Sequence, residues 1–318
     1  MVFDSHLDTP SELLRGRDLF SSRPDQQVDL SKMKKGGVHA AFFALYTPAE
    51  TRADAATRHA LEMAGAVSSF VRQAVDSVAW AFTPQDVRKN LSEGRISILL
   101  GMENGSPIQE SLELLEAFHS LGVRYLTLTH NGDNALADSA AEGKRWGGLS
   151  PFGREVVARM NQLGMMVDLS HASDQTFWDC IDLSRSPIVA THSCCRALCG
   201  HRRNLTDDML KALAEKDGYV GINFYPYFLV DDPQRRRPVV CEIVDHIDHA
   251  VSICGDQHVG IGTDFDGIEV TPEGMENIGC LPLVFDEMRH RGYTEKQISL
   301  IGGENLLSVF DRIVKCSL

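Results

Sequence analysis

The chain has 318 residues, 43% of them hydrophobic and 24% charged, the composition of a globular protein with a large core and too apolar for disorder. Its 44 acidic against 31 basic side chains leave a formal net charge of -13, which opposes phosphate backbones and anionic lipid and argues against nucleic-acid and membrane partners. No apolar run approaches a bilayer span, residues 1–10 (MVFDSHLDTP) lack the pattern of a secretion signal, and FDRIVKCSL at the other end lacks an anchor tail, so the eight cysteines are expected as free thiols in a cytoplasmic protein.

In chain order, the first apolar run, residues 2–5, leads into Asp4-Ser5-His6-Leu7-Asp8, and a second follows at 38–45. Residues 51–80 hold one long helix or two shorter ones. A helix then starts at Thr83-Pro84-Gln85-Asp86, where a Thr cap precedes Pro at the first helical position. The run 96–100 leads into Gly101-Met102-Glu103-Asn104-Gly105, and 125–129 ends at His130. Ser150-Pro151 repeats the capping device, 165–170 contains Asp168 and leads to His171, and 187–191 leads to His192. Thr206-Asp207-Asp208 opens another helix, followed by the runs 219–224 and 258–262, the last leading into Thr263-Asp264-Phe265-Asp266-Gly267. Gly122, Gly164 and Gly218 each follow a helical pattern, where a left-handed closing residue is wanted.

The eight runs are short, rich in Val, Ile and Phe, and nearly continuous in hydrophobicity, as in parallel strands covered by helices. Eight strand–helix units close most simply into an α/β fold of the (β/α)₈ TIM-barrel type, although an open doubly wound sheet obeys the same local rules. With no linker rich in Pro, Gly or Ser, residues 1–318 read as a single domain.

Six of the eight runs end in imidazole or carboxylate, and in a barrel those ends meet on the face where active sites are built. A lone His at a strand end is ordinarily a hydrogen-bonded structural residue, but six such ends in succession are not readily accidental. His6 and Asp8, two apart, are expected to face the same way. Three histidines with two or three carboxylates suit zinc or a similar divalent ion and suffice for two ions sharing a carboxylate, the donor set of a dinuclear hydrolase. Other features read as structural. His246 and His249 lie in an amphipathic run, Cys194, Cys195 and Cys199 lack a second pair to complete a zinc site, and Met165-Met166 and Phe42-Phe43 are core. Arg235-Arg236-Arg237 reads as a solvated turn, with a preference for acidic substrate side chains as the alternative.

With these residues placed, the chain resembles the membrane (renal) dipeptidase family of metal-dependent amidohydrolases, in its bacterial type without secretion or anchor signals. The resemblance rests on DSHLDTP at residue 4, GMENG at 101, LTHNGDNALADS at 128, DLSHAS at 168, THSCCRAL at 191, HRRNLTDD at 201 and GIGTDFDG at 260, in the family's order, with ISLIGGENLLSVF as its closing helix. Leu7 departs from the smaller residue that relatives often carry. The resemblance implies two Zn²⁺ per subunit, with Mn²⁺ or Co²⁺ as alternatives: His6 and Asp8 on the first, His171 and His192 on the second, and Glu103 bridging. It implies His130 beside the substrate carbonyl, Arg203 on a dipeptide's carboxylate with Tyr225 assisting, and Asp264 managing protons. A C-terminal D-residue in the substrate and a homodimer are further implications. The alternatives are another amidohydrolase reaction at the same centre, on N-acyl amino acids, lactones or phosphoesters, or a metal-binding barrel without catalysis.

Overall fold

The sequence alternation becomes nine strands: β1 (Phe3–Leu7), β2 (Ala40–Tyr46), β3 (Val78–Trp80), β4 (Ile96–Glu103), β5 (Val123–Thr127), β6 (Met166–Asp168), β7 (Ile188–Ser193), β8 (Tyr219–Ile222) and β9 (Val259–Ile261). The structure is a computed structural model and describes residues 1–141 and 144–317. All strand pairs are parallel, in the order β1-β2-β4-β5-β6-β7-β8-β9. Eight strands thus form a nearly closed barrel of the (β/α)₈ type, with helices in the connections. The seam is joined where β1 meets the segment after β9: Asp8 N donates to Phe265 O at 3.0 Å and Asp264 N to His6 O at 3.1 Å.

All eight expected strands are present, and β3 is the addition. It follows the 21-residue helix Ala53–Gln73 and pairs with the first half of β4 through Val78, Ala79 and Trp80. Because β2 pairs along β4 from Ser97 to Glu103, β3 takes the same edge of β4 that β5 takes from Leu100 onward. Three residues are too few to show a strand period in sequence.

Alternation along the strands divides the core in two. Phe3, Phe42, Leu99, Tyr125, Met166, Val189 and Tyr219, from seven barrel strands, form one cluster, closed by Leu306, Val309, Phe310 and Ile313 of the helix Asn305–Cys316. Their neighbours Phe43, Leu100 and Met165 point the other way, into the larger cluster under the outer helices. The barrel interior is therefore filled with apolar side chains, and polar residues are left for the carboxyl ends of the strands.

The expected helix starts hold. Thr83 and Asp86 form a reciprocal capping box, Ser150 Oγ accepts from Gly153 N at 2.8 Å, and Thr206 Oγ1 accepts from Met209 N at 3.3 Å. Gly122 and Gly164 close their helices at φ of 110° and 67°. Gly218 does not: the left-handed residue there is Asp217, φ 54°, while Gly218 lies where a Cβ would strike the carbonyl of Ile188. Among the described residues no helix is long and apolar enough to cross a membrane.

Candidate metal centre

The strand ends bring the expected residues together. His6 Nε2, at the end of β1, lies 3.3 Å from Asp8 Oδ2, 3.5 Å from Glu103 Oε2 at the end of β4, and 3.9 Å from Asp264 Oδ1 after β9. Glu103 Oε1 lies 3.0 Å from His171 Nε2, after β6, and 3.4 Å from His192 Nε2 in β7. Within the described residues, His6, Glu103 and His192, then Glu103, His130 and His171, then His6, Asp8 and Asp264 form three overlapping groups of potential ligands. Glu103 is common to two of them. Asp8 arrives by a different route from the one expected: β1 ends at Leu7 after a register irregularity, and Asp8 is the residue that opens the helix Thr9–Leu14.

The imidazoles of His6, His171 and His192 are each met from behind by a polar group. Thr191 Oγ1 donates to Asp168 Oδ2 at 2.7 Å, so its contact with His192 Nδ1 at 2.8 Å is one in which the imidazole donates. His171 Nδ1 stands 3.0 Å from Asn131 Oδ1, another acceptor. Both rings therefore carry their proton on Nδ1 and turn an Nε2 lone pair inward, where the two nitrogens face each other at 3.0 Å. The Tyr125 hydroxyl lies 2.8 Å from His6 Nδ1, and His6 Nε2 and Asp8 Oδ1 are buried without a hydrogen-bond partner. Lone pairs directed at one another in a buried space repel unless a cation lies among them. Ligand atoms 2.0–2.1 Å from a tetrahedral ion stand about 3.4 Å apart, close to the separations found here. Donor type, spacing and orphaned atoms all fit a divalent metal.

Electrostatics point the same way. Burial pulls His171 well below the usual imidazole range and His192 to about 3, leaving both neutral as a ligand must be. Burial also pushes Asp264 well above the usual carboxylate range, with Asp8 and Glu103 adding to the rise against His6. Burial opposes charge on His6 and on Glu103 alike, but their mutual attraction prevails, raising the imidazole and holding the carboxyl well below its range. Asn104, His171, Asp264 and Asp266 all have positive φ, of 79°, 66°, 65° and 68°. Side-chain-bearing residues in that conformation gather at functional sites.

A cavity of about 280 Å³ opens over the cluster, at the small end for a ligand site, lined by Asp8, Tyr46, Glu103, His130, Tyr225 and Phe228 among others. His130 packs edge-on against Tyr46 with centroids 4.8 Å apart, and burial lowers its pKa. Asn223 Nδ2 donates to Asp264 Oδ2 at 2.8 Å. Arg203 is buried beneath the Phe228 ring, 5.1 Å from its centroid, and donates to His192 O at 3.2 Å and Ser193 Oγ at 3.4 Å, while its Nε has no partner. Read from sequence alone, Arg203 could equally form a salt bridge to Asp207 or Asp208; neither is found among the described residues, Asp207 meeting His249 at 2.8 Å and Asp208 meeting Lys211 at 3.5 Å. Tyr225 packs against Tyr227 and Phe228.

The residues read as structural are so. His246 is buried, accepting from Cys195 N at 3.0 Å and facing Leu229 O at 3.0 Å. Cys194, Cys195 and Cys199 are buried free thiols against backbone carbonyls. Arg236 pairs with Glu242, Arg237 donates to Thr271 O at 2.7 Å, and none of the three consecutive arginines lines the cavity.

A family model, membrane dipeptidase (peptidase family M19), matches residues 1–317. The chain belongs to the membrane dipeptidase family. It is a metal-dependent hydrolase acting on dipeptides. The dipeptidase is 32% identical to a metallo peptidase from Rhodobacter sphaeroides whose crystal structure holds a phosphinate mimic of the dipeptide L-Ala-D-Ala, with a TM-score of 0.92 over 98% of this chain and 99% of that one. It is 34% identical to a metallo peptidase described as dipeptidase AC, TM-score 0.92, covering 98% of each chain. A probable dipeptidase, PvdM, from Pseudomonas aeruginosa is 25% identical, TM-score 0.91, over 99% of this chain and 96% of that one.

Sequence reasoning passed over the residues that hold the dipeptidase's strand-end groups in place. Tyr125 was one apolar residue of a strand, and Asn131 and Thr191 were silent neighbours of His130 and His192. The two strand ends without imidazole or carboxylate, β2 and β8, supply Tyr46 to the cavity and Asn223 to Asp264. A polar residue just past an apolar run was the available signal.

Proposed function

We propose that the dipeptidase holds two divalent ions, zinc by first choice and manganese or cobalt as alternatives, with His6 and Asp8 on one, His171 and His192 on the other, and Glu103 shared. The observation that carries this is the set of inward lone pairs on His171, His192 and Glu103, beside the orphaned His6 Nε2 and Asp8 Oδ1. When bound, such ions supply a Lewis acid and lower the pKa of water from 15.7 to about 7.

The chain's own side chains supply the rest. His130, neutral by burial, donates a hydrogen bond to the scissile carbonyl oxygen as negative charge develops there. Asp264, held by Asn223 and raised by burial, accepts a proton from the attacking water and passes it to the departing amine. Arg203, a buried guanidinium with no carboxylate at ion-pair distance among the described residues, stands just behind the lining residue Phe228 and takes the dipeptide's free carboxylate with two parallel hydrogen bonds, and Tyr225 packs on Phe228 in the cavity wall. A longer peptide presents an amide there instead, so only short acids fit. The Rhodobacter sphaeroides relative, which holds a mimic ending in D-Ala, supports tolerance of a C-terminal D-residue.

The test is a metal-loaded assay on dipeptides of both configurations, amidated dipeptides, N-acyl amino acids and lactones. Dipeptides turn over fastest, and Arg203→Ala raises KM for dipeptides by about 10²-fold and far less for their amides. Equal losses on both would remove the carboxylate role, and faster turnover of lactones or acyl amino acids would move the substrate to another amidohydrolase class.

A further inference from the structure

The cavity wall carries an acid for which the proposed hydrolysis has no use. Asp8, Glu103 and Asp264 belong to the ligand cluster and its proton transfer, but Glu269 also lines the cavity. The lining includes neither lysine nor arginine, Arg203 lying behind Phe228 and assigned to the substrate's carboxylate, and Glu269 enters none of the ion pairs found among the described residues. An acid meant only to keep the surface soluble has no reason to face a substrate cavity already rich in carboxylates, where it adds to their repulsion.

The segment that carries Glu269 is fixed. Gln27 grips it from both sides, Nε2 donating to Ile268 O at 2.6 Å and Oε1 accepting from Asp266 N at 2.7 Å. Thr9 Oγ1 donates to Asp266 Oδ2 at 2.8 Å, and Ile268 is buried. At Gly267 the backbone runs so close to the ligand cluster that a Cβ would collide with Asp8 Oδ2. Consecutive residues therefore lead from the cluster outward along one wall: Gly267 against the ligands, Ile268 as an apolar step, and Glu269 exposed at the mouth.

We propose that Glu269 makes the enzyme selective for dipeptides bearing a cationic side chain, lysyl or arginyl. This rests on the dipeptide reading above and adds the class of side chain. The cavity is small, so a long side chain leaves it along the wall. A lysine or arginine stem lies on Ile268, Tyr225 and Phe228 while its charged head reaches the carboxylate at the rim. The α-ammonium group is common to all dipeptides and gives no such discrimination. None of the arginines 235–237 lines the cavity, and Arg237, the one held beside this segment, directs its guanidinium to Thr271 O at 2.7 Å.

The experiment compares kcat/KM of the metal-loaded enzyme on Lys-Ala and Arg-Ala with their neutral isostere norleucyl-Ala, and on Ala-Lys with Ala-norleucine. The wild-type ratio favours the cationic member in one of the two series by about three- to tenfold and shrinks as salt rises. Glu269→Gln, close to isosteric, brings that ratio to about one, and Glu269→Lys takes it below one. Wild-type ratios near one, or ratios that Glu269→Gln leaves unmoved, overturn the proposal while neutral dipeptide turnover keeps the dipeptide reading standing. Failure to hydrolyse any dipeptide overturns both.

Discussion

A single hydroxyl shows how the site is specified at the scale of the residue. Tyr125 packs its ring on Phe42, centroids 5.1 Å apart, in the apolar cluster inside the barrel, and its hydroxyl meets His6 Nδ1 at 2.8 Å. Partners behind a ligand fix its tautomer and ring angle, and their loss typically costs 10–100-fold in metal affinity. Tyr125→Phe keeps the packing and removes the partner. Chelator competition is expected to show metal binding weakened by about 10–100-fold, with the metal-free protein's unfolding midpoint little changed. Unaltered affinity would show that His6 needs no such support. His6, Asp8, Glu103, His171 and His192 were legible in the sequence because a charged or imidazole residue at the end of an apolar run is conspicuous. Tyr125, Thr191 and Asn131 were not, because tyrosine is ordinary in a strand and a lone Thr or Asn beside a histidine carries no period or spacing.

At the scale of the element, the barrel strands deliver the site by ending in the right places, and glycine lets them approach. A Cβ built on Gly101 of β4 would fall inside the ring of Tyr125 on β5, so the glycine makes room for the tyrosine that holds His6. Gly101→Ala is expected to cost about 1–3 kcal/mol of stability by overpacking. In denaturant unfolding the midpoint should fall with little change in slope, and metal affinity should fall with it as the ring is displaced. A variant as stable as the parent would mean that the ring moves aside freely. Eight strands and the main helix starts were readable, because hydrophobic runs and capping residues are local signals. β3 was not, since its three residues depend on the exposed edge of β4 for their strand character, and neither was the closing geometry at Asp217, where tertiary contact with Ile188 and not helix-end preference places Gly218.

At the scale of the whole molecule, the seam of the barrel and the ligand cluster coincide. The hydrogen bonds that join β1 to the segment after β9 involve Asp8 and Asp264 themselves, so whatever binds between those residues also ties the first strand to the last. Buried carboxylates at Asp8, Glu103 and Asp264 repel one another unless a cation lies among them. Removal of metal is therefore expected to abolish hydrolysis and lower the thermal midpoint, and restoring divalent metal to raise it again, a stabilisation of about 4 kcal/mol when free metal is a thousandfold above its dissociation constant. An unchanged midpoint on chelation would separate the ligand cluster from the fold's stability. The barrel and the convergence of six strand ends were legible from sequence, because both follow from an order of elements. The closure of the seam through the site was not, because it joins residues more than 250 positions apart.

The most direct measurement is anomalous diffraction at the zinc edge from crystals grown with saturating zinc. The expected result is two peaks per chain, one between His6, Asp8 and Glu103 and one between Glu103, His171 and His192. No peak at either position, or peaks only at surface residues, would contradict the shared metal centre on which the chemistry depends.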